Sequence, residues 1–404
     1  MVELLKLLIV FAAIVVALNK RVDVGATLIA GAVALGLLVG RPPQDLALDV
    51  WSAITSFETL RLIIVVILIL TLTEALKAAR LMESMVRALL ELISDARVVI
   101  GVVPALTGLL PMPGGAMFSA PMVEEISHHC SVDANQKTFA NYWFRHIWEY
   151  VMPLYPALIL CATLLSLPVS AFMRAQWPLT LAAIVGGGIV VWARFPKNGN
   201  DVAHTDRRGS LLTFARSIWP VALVVVATMA LEVDLLITLP TTLLLLALVA
   251  RFSWGQTWGV LRKGLDWRIA LVLIGAMVFK KVMESTGVVE HVSEALGAVG
   301  VPPLALIATI PFIVGLATGI TVAAFSISVP IVLPFLMVGG SIHLPFVVLM
   351  YAGGMTGLML SPVHLCLILT RAYFGADWWK TMRPVLFAQA VVLAVAIALT
   401  ALGS

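Results

Sequence analysis

The chain has 404 residues, 61% hydrophobic and only 12% charged, with 26 Lys and Arg against 22 Asp and Glu for a formal charge of +4. A mean hydropathy of +1.04 excludes a soluble globular domain. The small basic excess belongs to loops and not to a nucleic-acid surface, so no nucleic-acid partner is expected.

Apolar windows set the order of elements. "LLKLLIVFAAIVVAL" near the start lacks a small-residue cleavage site and is followed at once by Lys20 and Arg21, so it reads as a membrane span and not as a signal peptide. "VGATLIAGAVALGLLVG" and "RLIIVVILILTLTEAL" follow, each long enough with modest tilt to cross a hydrocarbon core of roughly 30 Å. The first-half spans are expected near 4–18, 25–40, 61–79, 98–129, 138–165 and 177–193.

Within the fourth lies "LLPMPGGAMFSAP", Leu109 to Pro121, which puts three prolines and two adjacent glycines into an apolar stretch. Proline removes a backbone donor and paired glycines weaken what helix remains, so this segment cannot be one helix. In lipid, backbone that leaves helical geometry survives only where protein or an internal cavity satisfies it, so a re-entrant hairpin is expected with its tip at Pro111 to Met117. The fifth span is broken again at "YVMPLYPAL".

The polar run Arg194 to Ser210 divides the chain, and residues 194–216 read as a linker between 1–193 and 217–404. A shift of 207 residues lays Trp51 on Trp258, Arg61 on Arg268, Pro104 on Pro311, Gly108 on Gly315 and Ser119 on Ser326. Beyond that the shift is 209, and Pro121 meets Pro330, Tyr142 meets Tyr351 and Pro153 meets Pro362. Trp, Arg, Pro and Tyr in one register indicate an internal duplication. The second half has spans near 217–232, 236–250, 268–284, 302–338, 345–370 and 384–402, a hairpin at "GLATGITVAAFSISVP" and a break at "MLSPVHLCL".

The expected fold is therefore an all-α integral membrane protein of two inverted repeats, each of five transmembrane helices plus a re-entrant hairpin, with one broken helix per repeat. With the linker inside the cell, this topology puts nineteen of the 26 Lys and Arg on the cytoplasmic side and both termini outside the inner (plasma) membrane.

Discontinuous helices that meet near the midplane build binding sites in secondary transporters, with half-helix N-termini aimed at anions. Candidate substrate-binding residues are thus Gly114, Gly115, Ala116 and Ser119 at the first hairpin, and Thr318, Gly319, Thr321, Ser326 and Ser328 at the second. Pro153, Tyr155, Pro362 and His364 mark the broken spans. "NYWFRHIWEY" holds the densest ionisable cluster: Arg145 and Glu149, spaced to pair on one helix face, with His146 beside them. Arg145 is assigned as anion counter-charge, and Glu149 with His146 as coupling groups. Glu74, Lys77, Lys280 and Glu284 are read as interfacial pairs, as are His128 and His129 as interfacial residues. Cys130, Cys161 and Cys366 show no paired spacing, so neither a disulfide nor a metal cluster is expected. No H-E-x-x-H, G-x-S-x-G or phosphate-binding loop occurs, and an enzyme or an ATP-driven pump is not expected.

This pattern resembles the ion transporter superfamily, which includes dicarboxylate:sodium symporters, citrate carriers and arsenite permeases. "PMPGGAMFSAPMVEE" and "NYWFRHIWEYVMPLYP" resemble more narrowly the family labelled domain of unknown function 401. The resemblance implies a homodimeric, elevator-type carrier of a small anion, free of organic cofactors and coupled to sodium or protons. Sodium ions at the hairpin tips are the only metal it implies, yet the Ser-Asn-Thr triplet of the dicarboxylate symporters occurs at neither tip. The alternatives are an inorganic-ion carrier or cation/proton antiporter, and an intramembrane enzyme.

Overall fold

Short polar residues start seven of the described helices, and small residues decide how the helices pack. A computed structural model describes residues 2–20, 22–93, 95–112, 114–127, 131–196, 207–288 and 302–403. The first half runs α1 (Val2–Asn19), α2 (Val24–Val39), α3 (Pro43–Thr55), α4 (Phe57–Ala78), α5 (Leu81–Leu92), α6 (Ala96–Thr107), α7 (Ala116–Ser127), α8 (Ala134–His146), α9 (Pro156–Leu164) and α10 (Val169–Arg194). The second runs α11 (Arg207–Met229), α12 (Leu235–Val249), α13 (Trp254–Gly264), α14 (Trp267–Thr286), α15 (Pro303–Thr318), α16 (Thr321–Val332), α17 (Leu344–Leu360), α18 (Leu365–Phe374) and α19 (Trp378–Gly403). Strands β1 (Met337–Val338) and β2 (Ser341–Ile342) form a small hairpin before α17.

Asp23, Ser56, Asp95, Asp234 and Asp266 each accept a backbone N–H at the start of a helix, and Asp133 and Ser253 do so within capping boxes closed by Gln136 and Gln256. Among the described residues five helical stretches are long and apolar enough to cross a membrane: α4, α10, α11, α17 with α18, and α19. Large apolar side chains stand exposed on the outer faces, among them Leu8, Leu38, Ile64, Val185, Leu244 and Ile397. Such faces suit a lipid surround and would be a liability in water.

Several elements differ from the expected spans. Short helices α3, α5 and α13 were not anticipated; all three are amphipathic, with α3 packed on α14, α13 on α4 and α5 on α11. The residues expected as linker from 207 to 216 form the first turns of α11. The rest of the polar run, from 197 to 206, lies outside the described residues, as do His128, His129 and Cys130. The expected pairs form: Lys77 meets Glu74 at 2.6 Å, and Lys280 meets Glu284 at 3.9 Å and Glu58 at 4.0 Å.

Glycine sets the closest helix contacts. Gly353 and Gly357, four residues apart on α17, press on α15, where a Cβ at Gly357 would come 2.0 Å from the Phe312 carbonyl oxygen. Small residues at this spacing let two helices approach to backbone contact, where dispersion and weak hydrogen bonds hold them in lipid. Gly357→Val should therefore cost about 1–3 kcal/mol of overpacking. It should lower the thermal midpoint of the purified protein in detergent, whereas Gly188→Ala, with nothing within 4 Å, should leave it in place.

Candidate functional site

Four interruptions of helix converge in the interior. The first hairpin turns between α6 and α7, where Gly114 takes φ 65°. The second turns at Gly319, with φ 63°, between α15 and α16. The break between α8 and α9 spans 147–155, and that between α17 and α18 spans 361–364. Pro156 at the first position of α9 needs no donor partner there.

Arg145, only 4% exposed, is spent on the first hairpin. Its Nη1 donates to the Thr107 carbonyl at 3.1 Å and its Nη2 to the Met112 carbonyl at 3.0 Å. These oxygens lie at and beyond the end of α6, where the helix leaves carbonyls unpaired. Gly115 makes room for the guanidinium: a Cβ there would lie 2.3 Å from Nη2. Asn141 completes the clamp by donating to the Ala116 carbonyl at 3.0 Å and to the Thr370 hydroxyl at 3.2 Å, while Ser119 donates to Asn141 Oδ1 at 2.6 Å. Tyr155 donates its hydroxyl to the Gly108 carbonyl at 2.5 Å.

The expected Arg145–Glu149 pair does not form; among the described residues Arg145 has no carboxylate within salt-bridge distance. The reason is the break itself. Helix α8 ends at His146, so a spacing of four no longer places two side chains on one helix face. Glu149 turns instead toward the second hairpin, where Thr321 donates to its Oε2 at 3.1 Å. Its Oε1 lies 3.8 Å from His146 Nε2.

His146 and His364 meet edge on. Their Nε2 atoms are 3.1 Å apart, while His146 Nδ1 lies 2.6 Å from the Tyr142 carbonyl and His364 Nδ1 lies 2.8 Å from the Gly319 carbonyl. Cys366 joins them: one ligand atom from each of His146, His364 and Cys366 lies within 4.8 Å of the other two. The expectation of no metal-competent cluster is corrected here. His364, the residue before α18, has extended backbone at φ −66°, ψ 119°, so residues 364 and 366 can face one point although they are two apart.

The remaining expected residues divide. Gly319 and Thr321 reach the junction, and Thr318 turns its hydroxyl back to the Val314 carbonyl at 2.8 Å. Ser326 and Ser328 are fully buried within α16, and their hydroxyls donate to the carbonyls of Val322 and Ala324 in their own helix. Met117 lies inside α7 and not at the tip, because the helix resumes at Ala116, and Ser119 stands near the start of that returning helix. Pro153 is buried in the first break and Pro362 is exposed in the second.

Contacts recur between the halves. Gly108 presses on the Arg145 carbonyl and Gly315 on that of Gly354, where a Cβ would sit 2.1 and 2.5 Å away. Tyr142 donates its hydroxyl to the Met359 carbonyl at 3.0 Å, and Tyr351 donates to the Glu149 carbonyl at 2.8 Å. Each tyrosine thus serves a carbonyl at the end of the other half's interrupted helix. Asn141, Tyr142, Tyr351 and Cys366 were not among the expected site residues; only the Tyr142–Tyr351 register match pointed toward any of them.

These features define a polytopic helical membrane protein organised around interrupted helices and a buried polar junction. The chain belongs to the family described as "Protein of unknown function (DUF401)", matched over residues 3–403. No curated protein matches it.

Because the guanidinium occupies the space beside Gly115, bulk there acts first on Arg145 and not on an approaching ligand. Gly115→Ala should displace it from the Thr107 and Met112 carbonyls, at a cost of roughly 1.5–3 kcal/mol for each charge-assisted bond lost. Hydrogen exchange across 108–115 should rise and the thermal midpoint should fall. Unchanged exchange would show that the tip does not depend on Arg145.

Proposed function

We propose that the chain is a secondary active transporter of small anions, of the ion transporter superfamily, built from two inverted repeats. The observation that carries this reading is the convergence of two hairpin tips and two helix breaks on one buried set of Arg, His, Glu and Thr side chains. Breaks of this kind cost several kcal/mol per unpaired backbone group in lipid, and a fold that concentrates four of them at one point uses them as a site.

The repeat organisation is supported by reciprocal pairing: α2 lies along α14 and α12 along α4, α3 on α14 and α13 on α4, α7 on α18 and α16 on α9. The inverted orientation rests on the basic residues, which under it gather on the side of the linker. Placement in the inner membrane with both termini outside rests on the distribution of Lys and Arg, and the homodimer and the elevator motion on the resemblance; all are part of the proposal.

Arg145 supplies the positive field. It carries its charge to the first hairpin tip while bonded only to the neutral Thr107 and Met112 carbonyls, so an anion brought to the tip meets a cation whose charge is not paired there. The crevice beside His146, lined by Trp143, Ile147, Tyr150, Ala183 and Met359, encloses no space for a water. In the proposed cycle the hairpins move to admit the substrate.

Purified full-length protein in liposomes, given labelled small carboxylates under an imposed sodium or proton gradient, should show concentrative uptake. Arg145→Met should reduce it at least tenfold in protein that remains monodisperse, and unchanged uptake would remove Arg145 from the substrate site. Glu149→Gln that keeps exchange but loses pH-driven accumulation identifies the proton as coupling ion, because the amide mimics only the protonated carboxyl. Full pH-driven uptake by that variant would remove Glu149 from the proton path, and uptake driven by sodium alone would assign the coupling to sodium.

A further inference from the structure

His146 and His364 present a problem of proton count. A carbonyl oxygen only accepts, so the bonds to Tyr142 and Gly319 place a proton on Nδ1 of each imidazole. In the neutral rings both Nε2 atoms then carry lone pairs, and these face each other at 3.1 Å. Two lone pairs at that separation repel unless something positive lies between them. Histidines that bind metals through Nε2 and anchor Nδ1–H on a backbone carbonyl have this arrangement.

We propose that His146, His364 and Cys366 bind one divalent transition-metal ion of the zinc class, with Glu149 as the fourth donor. Two nitrogens each about 2.0–2.1 Å from a tetrahedral ion stand about 3.3 Å apart, close to the observed separation. Cys366 Sγ lies within 4.8 Å of both imidazole donors, near enough to close on a common centre with small side-chain shifts. Glu149 Oε1 is 3.8 Å from His146 Nε2, and its other oxygen is held by Thr321 as a ligating carboxylate's outer oxygen commonly is. Thiolate with two imidazoles selects zinc, cobalt(II) or copper over magnesium, calcium or sodium, which prefer all-oxygen shells.

Binding takes the thiol proton of Cys366 into solvent, leaving thiolate as ligand. The proposal holds whether or not the chain carries anions. Its mechanical effect is to tie α8, the second hairpin and α18 together at one atom.

The test uses full-length protein without a polyhistidine tag, in a background where His128 and His129 are Ala and Cys130 and Cys161 are Ser. This removes the His-His-Cys run at 128–130 and leaves Cys366 as the only cysteine. After equilibration with Zn²⁺ or Co²⁺ and desalting, elemental analysis should give one metal per chain. The cobalt form should show a thiolate-to-metal charge-transfer band and a tetrahedral visible spectrum. Zn²⁺ should raise the thermal midpoint of this protein. Cys366→Ser should abolish the charge-transfer band, and His146→Ala or His364→Ala should weaken binding at least about 100-fold, each with the apo midpoint recorded to confirm a folded sample. A metal content near zero in the background protein would overturn the proposal and leave a proton shared between the two imidazoles. Metal retained with an unchanged spectrum in Cys366→Ser would equally overturn it.

Discussion

A carbonyl or amide without a partner inside a bilayer costs several kcal/mol, and the architecture of this chain follows from how it meets that cost at four helix breaks. Side chains do the work that helix continuation would otherwise do. Arg145, Tyr155, Ser361 and His364 each bond backbone of a hairpin, and Tyr142 and Tyr351 bond backbone at the ends of the interrupted helices. The junction is rigid to the extent that these partners are fixed, and movable to the extent that they can be exchanged.

The polar side chains at the centre divide into two groups with different obligations. Around the first hairpin, Arg145, Asn141 and Ser119 bond chiefly to backbone and to each other, a satisfied network of the kind that specifies one arrangement. Around the second, His146, His364, Cys366 and Glu149 face one another with lone pairs and titratable protons, an arrangement completed only by a cation or a proton. Related positions in the two halves thus support different chemistry. Arg145 corresponds in register to Gly354, so the charge that secures one hairpin has no counterpart at the other.

Much of this was legible in the residues. Proline and glycine placed both hairpins and both breaks, since their effect on a helix is local and needs no knowledge of the rest of the fold. The register of Gly108 with Gly315 was fulfilled by equivalent contacts on Arg145 and Gly354. What escaped depended on distance or on continuity. The amphipathic helices α3, α5 and α13 are too short and too polar for a span-length window to register. The spacing of Arg145 and Glu149 promised a pair only on an unbroken helix, and α8 ends between them. Nothing in sequence brings Cys366 to His146, because that meeting is made by tertiary packing across 220 residues of chain.

The crossed tyrosines bear on how such a chain is made. The carbonyl of Glu149 finds its donor in Tyr351, 202 residues later. At translation rates of about 5–20 residues per second, the first break waits roughly 10–40 s for the hydroxyl that completes it. During that interval the nascent first half must keep its interrupted helix near water, in the insertion machinery or at the headgroup layer, or lend it a temporary partner. Biogenesis of this protein is therefore a matter of deferred closure, in which the earliest segments to enter the membrane are among the last to settle.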